Sequence, residues 1–265
     1  MSDTATDMIR FEHVVKRFGD NVVLDGLDIT KGYATVGHGL GGGVYIGGST
    51  ATFTNCNIHD NLTGTADGQG GGVGVYRGTA TFTNCTIRDA AAHVTGKVES
   101  AKGGMLHLSR NSSATLTACT IKNSSASAPF AGSVGGVAYM GPYSRLAMMQ
   151  CAISEARVSG DAYAGGGVTF GEPDSTLMVE DSNYSSVAVV TGCISPECSG
   201  LHMGHGPIAA FNRANGTFMN CVITDVTTRS IGNTTAAYGG LDLYVRCHVV
   251  VTINEFPYQE ILELG

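Results

Sequence analysis

The chain has 265 residues, a formal net charge of -7, 43% hydrophobic residues and 38 glycines against 6 prolines. With 15 Lys+Arg and no basic run, the sequence excludes nucleic acid and anionic membranes as partners. No apolar stretch approaches the roughly 18–20 residues that a helical membrane anchor needs.

The stretch 1–37 reads as an N-terminal cap or a fused remnant, ahead of a repeat over 38–256 and a short cap segment at 257–265. Met1–Arg17 is polar and lacks the apolar centre of a secretory signal. From residue 38 two phrases alternate. One is a glycine pair with an apolar residue: Gly42-Gly43-Val44, Gly71-Gly72-Val73, Gly103-Gly104-Met105, Gly135-Gly136-Val137, Gly166-Gly167-Val168 and Gly239-Gly240-Leu241, with Ser199-Gly200-Leu201 as a degenerate copy. The second glycines lie 29, 32, 32, 31, 33 and 40 residues apart. The other phrase runs from Ala51 to Ile58, Ala80 to Ile87 and Ala114 to Ile121. Such periods indicate stacked units that cannot bury a face alone.

Period-two alternation then assigns the faces of each strand. It puts Phe53, Phe82, Leu116, Met148, Val179, Phe218 and Val251 in one inward column. Ile58, Ile87, Ile121, Ile153, Tyr184, Ile223 and Phe256 form another. In the glycine strand the inward pairs read Val44/Ile46, Val73/Val75, Met105/His107, Val137/Tyr139, Val168/Phe170, Leu201/Met203 and Leu241/Leu243. The parity slips at Asn55, Asn84 and Asn220, replaced elsewhere by Ala118, Gln150 and Asp181, and asparagine suits a left-handed corner there. The expected fold is an all-β, right-handed parallel β-helix of about seven three-strand rungs, its hand the default for parallel crossovers. Cys56, Cys85, Cys119, Cys151 and Cys221 share one slot and read as free, buried thiols; Cys193 and Cys198 could close a small loop. The segments between the third strand and the next glycine pair, such as Asp60–Gly70 and Asp89–Lys102, read as flexible decoration.

The glycine tetrapeptides GGVY (42–45), GGVG (71–74), GGML (103–106), GGVA (135–138), GGVT (166–169) and GGLD (239–242), with Phe-Thr-Asn at 53–55 and 82–84, resemble the repeats of polymorphic outer-membrane proteins and related adhesins. That resemblance implies a pectin-lyase-like β-helix at the cell surface or outside the cell, with adhesion-like binding of a glycan or a surface protein. The family's C-terminal membrane barrel has no counterpart here. Residues 8–29 resemble the opening strands of an ABC-transporter ATPase. No G-x-x-x-x-G-K-[ST] follows, however, so nothing cradles phosphates.

Three candidate sites emerge. His202 and Asp242 fall in adjacent places of the outward column, with His205 nearby, as a catalytic cluster. Thr52/Thr54, Thr81/Thr83 and Thr115/Thr117 stack on three rungs as a binding array, which resembles the ice-binding face of β-helical antifreeze proteins; Arg145/Ala147, Thr176/Met178 and Thr217/Met219 break it. Gly204-His205-Gly206 resembles the Gly-His-Gly of polygalacturonases, without the clustered aspartates that glycosidic hydrolysis needs. No metal site reaches an acceptable ligand count, and no cofactor motif is present. The sequence therefore favours a non-catalytic binding scaffold over a carbohydrate-active lyase or hydrolase, with ice binding as a further alternative.

Overall fold

The computed structural model describes residues 16–18, 21–34, 41–64, 68–94, 100–128, 131–160, 163–192, 202–206, 208–231, 235–237, 241–244 and 248–255. Within them the chain is a parallel β-helix built from strands and turns, its strands ordered into sheets of eighteen, five and seven. The seven-stranded sheet takes one strand from each successive coil: Val44–Gly47, Val73–Tyr76, Leu106–Ser109, Ala138–Met140, Thr169–Gly171, Ala209–Asn212 and Leu241–Tyr244.

The phenylalanine column forms as its alternation dictates. Leu24, Phe53, Phe82, Leu116, Met148, Val179, Phe218 and Val251 lie in register from coil to coil. Phe53 and Phe82 stack with ring centroids 4.8 Å apart. The isoleucine column also holds, from Ile29 through Ile58, Ile87, Ile121, Ile153 and Tyr184 to Ile223. Phe256 lies outside the described residues. The five cysteines are free and buried. Each thiol donates to the carbonyl two residues back, at 3.2–3.4 Å. Cys193 and Cys198 are not among the described residues.

The left-handed corner recurs in seven successive coils: Gly26, Asn55, Asn84, Ala118, Gln150, Asp181 and Asn220 have φ between 49° and 66°. Side-chain amides reinforce it. Asn84 donates to Asn55 Oδ1 at 2.8 Å, and Asn55 donates to Asp25 Oδ1 at 3.0 Å. A second left-handed corner follows five residues on, at Lys31, Asp60, Asp89, Asn123, Glu155, Ser186 and Asp225. The sequence hides it because no single residue type marks the position.

Two expectations need correction. The first concerns the glycine strand. Gly72 and Val73 N–H both donate to Met105 O, and Met105 and Leu106 N–H both donate to Val137 O. Two donors on one carbonyl is a bulge, which shifts parity by one. Met105 and Leu106 therefore both turn into the core, and the strand continues inward at Leu108. His107, Tyr139 and Phe170 fall in line with Gly74 and Tyr45 on the opposite face. Gly43 and Gly72 occupy the slot of Met105, so the repeat aligns on the first glycine of each group: Gly41, Gly70, Gly103, Gly135 and Gly166, all with φ near +65°. At Gly103 that dihedral demands glycine. At Gly104 the demand is space, since a Cβ there would lie 2.2 Å from Gly136 O.

The second correction concerns the segments read as decoration. They contain strands that run out from the second corner and return as the five-stranded sheet, which includes Ala101–Lys102, Gly132–Val134 and Tyr163–Gly165. Between the two layers lies a separate core of Ala92, Val94, Ala101, Ala126, Ala128, Ala131, Val158, Ala164 and Val189. Small side chains let the layers approach closely, so the alanine and glycine richness is structural. At the other end, Lys16–Phe18 pairs antiparallel with Asn21–Asp25, and Asn21–Asp25 and Asp28–Thr30 already belong to the first coil. The stretch resembling an ATPase opening thus supplies that coil and its hairpin.

Phe82→Ala is expected to cost about 3–5 kcal/mol by opening a cavity in the column, and Thr83→Ala, exposed one residue on, under about 1 kcal/mol. Denaturant melts of both variants check the register. In the outer lobe, Ala126→Phe is expected to lose about 1–3 kcal/mol or more through overpacking. Ser125→Ala beside it should change stability by under about 0.5 kcal/mol, in the same melts.

Candidate functional site: a hydroxyl face beside an aromatic groove

The threonine strands Thr50–Thr54, Thr79–Thr83 and Ser113–Thr117 pair in parallel. With Ala51 and Phe53 and their equivalents turned inward, the alternate residues all face out. Thr52, Thr81 and Thr115 lie in one row, and Thr54, Thr83 and Thr117 in another. A third row, missed in the sequence, holds Thr50, Thr79 and Ser113. The result is a three-by-three grid of hydroxyl side chains, each half-buried or exposed. Thr79 Oγ1 and Ser113 Oγ share a hydrogen bond of 3.0 Å. The grid ends at the next coil, where Arg145, Ala147 and Met149 follow Ser113, Thr115 and Thr117. The sequence reading had set Arg145 and Ala147 one place too far along; all three residues share outward parity, and Arg145 is the first of them.

The structure places His202 and Asp242 in different sheets, not in adjacent places of one column. His202–His205 is a strand of the five-stranded sheet, with His202 beside Thr235 and His205 beside Gly165. Asp242 belongs to the seven-stranded sheet, beside Ala210. Ala209–Asn212 fills the place that the sequence reading gave to Leu201 and Met203. The longer spacing before this coil misled the alignment, which took Ser199-Gly200-Leu201 for its glycine phrase.

The outward face of the seven-stranded sheet carries what was read as core. His107 and Tyr139 stack at 4.9 Å, and Tyr139 and Phe170 at 6.0 Å. Val134, Tyr139, Phe170 and Ala210 form a small cluster where the five-stranded sheet folds over this face. Lys102 Nζ lies 5.5 Å from the Tyr139 ring centroid. Tyr139 Oη donates to Glu172 Oε1 at 3.2 Å, and Asn212 donates to Glu172 Oε2 at 3.4 Å. Tyr139 and Phe170 are each 7% exposed, and the Tyr139 ring has a neighbour on both faces, so the stack stiffens the groove rather than offering an open platform. The signal that could have found it is the triple glycine at 41–43 and 70–72, which sets the true phase.

Several titratable groups elsewhere are engaged within the fold. His59 contacts Asp28 through Nε2 at 2.8 Å and Asp60 through Nδ1 at 2.7 Å, so both ring nitrogens are tied. Asn123 donates to Asp89 at 2.7 Å and, ahead of the adjacent Arg88, holds that carboxyl below its ordinary range. In the core, the Cys151 thiol, and then burial, pushes Cys119 up to about 11, keeping it a neutral thiol. Among the described residues no cluster of three or more His, Cys, Asp or Glu is arranged to hold a metal ion. No described helix is long and apolar enough to cross a membrane.

No curated protein and no solved structure matches the chain. The family model of the right-handed β-helix region matches residues 41–237, most of the chain and nearly all the coils described above. With its parallel coils in hand, the chain belongs to the right-handed β-helix family.

Proposed function

We propose that the protein is a non-catalytic scaffold at the cell surface or outside the cell, whose threonine face binds an extended, hydroxyl-rich polymer, a glycan. The observation that carries this reading is the three-by-three hydroxyl grid, in register over three coils. Strand geometry spaces its members by about 4.8 Å across the strands and about 6.6 Å along them. Each hydroxyl both donates and accepts, and threonine holds its χ1 stiffly, so little ordering is needed on binding. A single such contact is worth only about 0.5–1.5 kcal/mol net. Useful affinity therefore requires many contacts at once, which a polymer with repeating hydroxyls supplies.

The alternative reading, a carbohydrate-active enzyme, needs a positioned acid and base. Asp28 and Asp60 are both committed to His59, and Glu172 to Tyr139 and Asn212. Those engagements favour binding over turnover.

The test uses the full chain and a panel of neutral and acidic polysaccharides in affinity electrophoresis, beside the Thr52→Val/Thr81→Val/Thr115→Val variant. Valine keeps the shape and removes the hydroxyls. At least one polysaccharide is expected to retard the native protein, with roughly tenfold or more loss of affinity in the triple variant. Release of reducing ends or unsaturated products by the native protein would favour the enzyme. Ice-crystal shaping that the triple variant abolishes would transfer the face to ordered water.

A further inference from the structure

One edge of the hydroxyl face carries a charge cluster that the sequence disperses over three coils. Arg77 and Arg110 occupy the turns that lead from the seven-stranded sheet into the threonine strands, both left-handed, with φ of 51° and 54°. Both approach Tyr76: the Arg77 guanidinium is 5.4 Å from its ring centroid and that of Arg110 is 5.8 Å. Arg145 begins the next strand, in line with Ser113 and Thr79. All three arginines are exposed. Among the described residues none of them makes an ion pair with a carboxylate, Asp174 in the following turn included.

That arrangement is unfavourable on its own terms. Like charges in successive coils repel, in a chain that has more acidic residues than basic ones to offer as partners, 22 Asp+Glu against 15 Lys+Arg. The tyrosine ring offsets part of the cost by attracting both cations. It also holds both guanidiniums against one ring at the border of the grid. The planar guanidinium fork is suited to two-point recognition of a carboxylate or sulfate.

We infer that the ligand of the hydroxyl face is an acidic glycan, with its carboxylate or sulfate groups seated on Arg77 and Arg110, next to Arg145, and its hydroxyls on the adjoining threonine and serine rows. The inference rests on the glycan reading above and adds the charge class. A nucleic acid fits less well, because stacking bases need open ring faces and the Tyr76 ring already carries both guanidiniums.

Isothermal titration of the full chain against matched polysaccharide pairs tests it. One pair is a sulfated galactan and its desulfated form; the other is a polyuronate and its methyl ester. The acidic member is expected to bind roughly tenfold or more tightly at low salt, with the difference shrinking as salt rises. Arg77→Gln/Arg110→Gln should abolish that preference without lowering the melting temperature, and leave the affinity for the neutral member unchanged. Arg77→Lys/Arg110→Lys, with charge but no fork, should fall between. Equal affinity for both members overturns the acidic-ligand inference and leaves the hydroxyl-face reading standing. A preference that survives the glutamine pair overturns the assignment to these arginines. Equally tight binding of a single-stranded oligonucleotide of matched charge overturns the glycan class, and no binding of any member sinks the hydroxyl-face reading itself.

Discussion

Everything on the surface of this molecule depends on a backbone constraint: the same places in each coil must adopt left-handed φ. Gly26, Asn55, Asn84, Ala118, Gln150, Asp181 and Asn220 do so at the first corner, and the residues five places on do so again. For a residue with a Cβ this conformation costs about 1–2 kcal/mol. The stack offsets that cost with amide bonds between corners, such as Asn84 to Asn55 and Asn55 to Asp25, and with columns of buried side chains. Once the corners are fixed, residues some 29–34 positions apart become lateral neighbours. Thr52, Thr81 and Thr115 form a row for that reason, and Arg77 and Arg110 meet at one tyrosine ring for the same reason.

The phenylalanine, isoleucine and cysteine columns were legible because each repeats a residue type at a fixed offset from a strong corner signal. The glycine strand was misread where two residues in succession turn inward. Strict alternation cannot represent a bulge, so His107, Tyr139 and Phe170 were assigned to the core when they belong on the groove side. The outer lobe was missed for a different reason. Its core is built from alanine, whose small side chain gives almost no hydrophobic contrast with the serines and glycines beside it. The shared column assigned to His202 and Asp242 was off because the coil that contains His202 is longer than its neighbours, and the degenerate glycine phrase was matched too early.

Functionally, the contrast lies between groups that are satisfied within the fold and groups that are not. His59, Asp60, Asp89 and Glu172 spend their polar capacity on neighbours. The hydroxyl rows and the bordering arginines face outward, with a hydrogen bond between Thr79 and Ser113 inside one row. A rigid solenoid presents such groups at regular intervals at little entropic cost. Its chemistry is read by a polymer that repeats on a similar scale, and the fold itself is silent about which one.

The most direct test of the register is to excise one coil. Deleting residues 104–135 joins Gly103 to Gly136, and Gly103 and Gly135 share φ of +67°, so the corner is retained. The account predicts a soluble, β-rich, cooperatively melting and shorter rod, whereas deleting 104–120, which joins Gly103 to Ile121 and removes two strands of one coil while leaving its third, interrupts the columns and fails to fold cooperatively. Equal melting behaviour of the two deletions, measured side by side by circular dichroism, would contradict it.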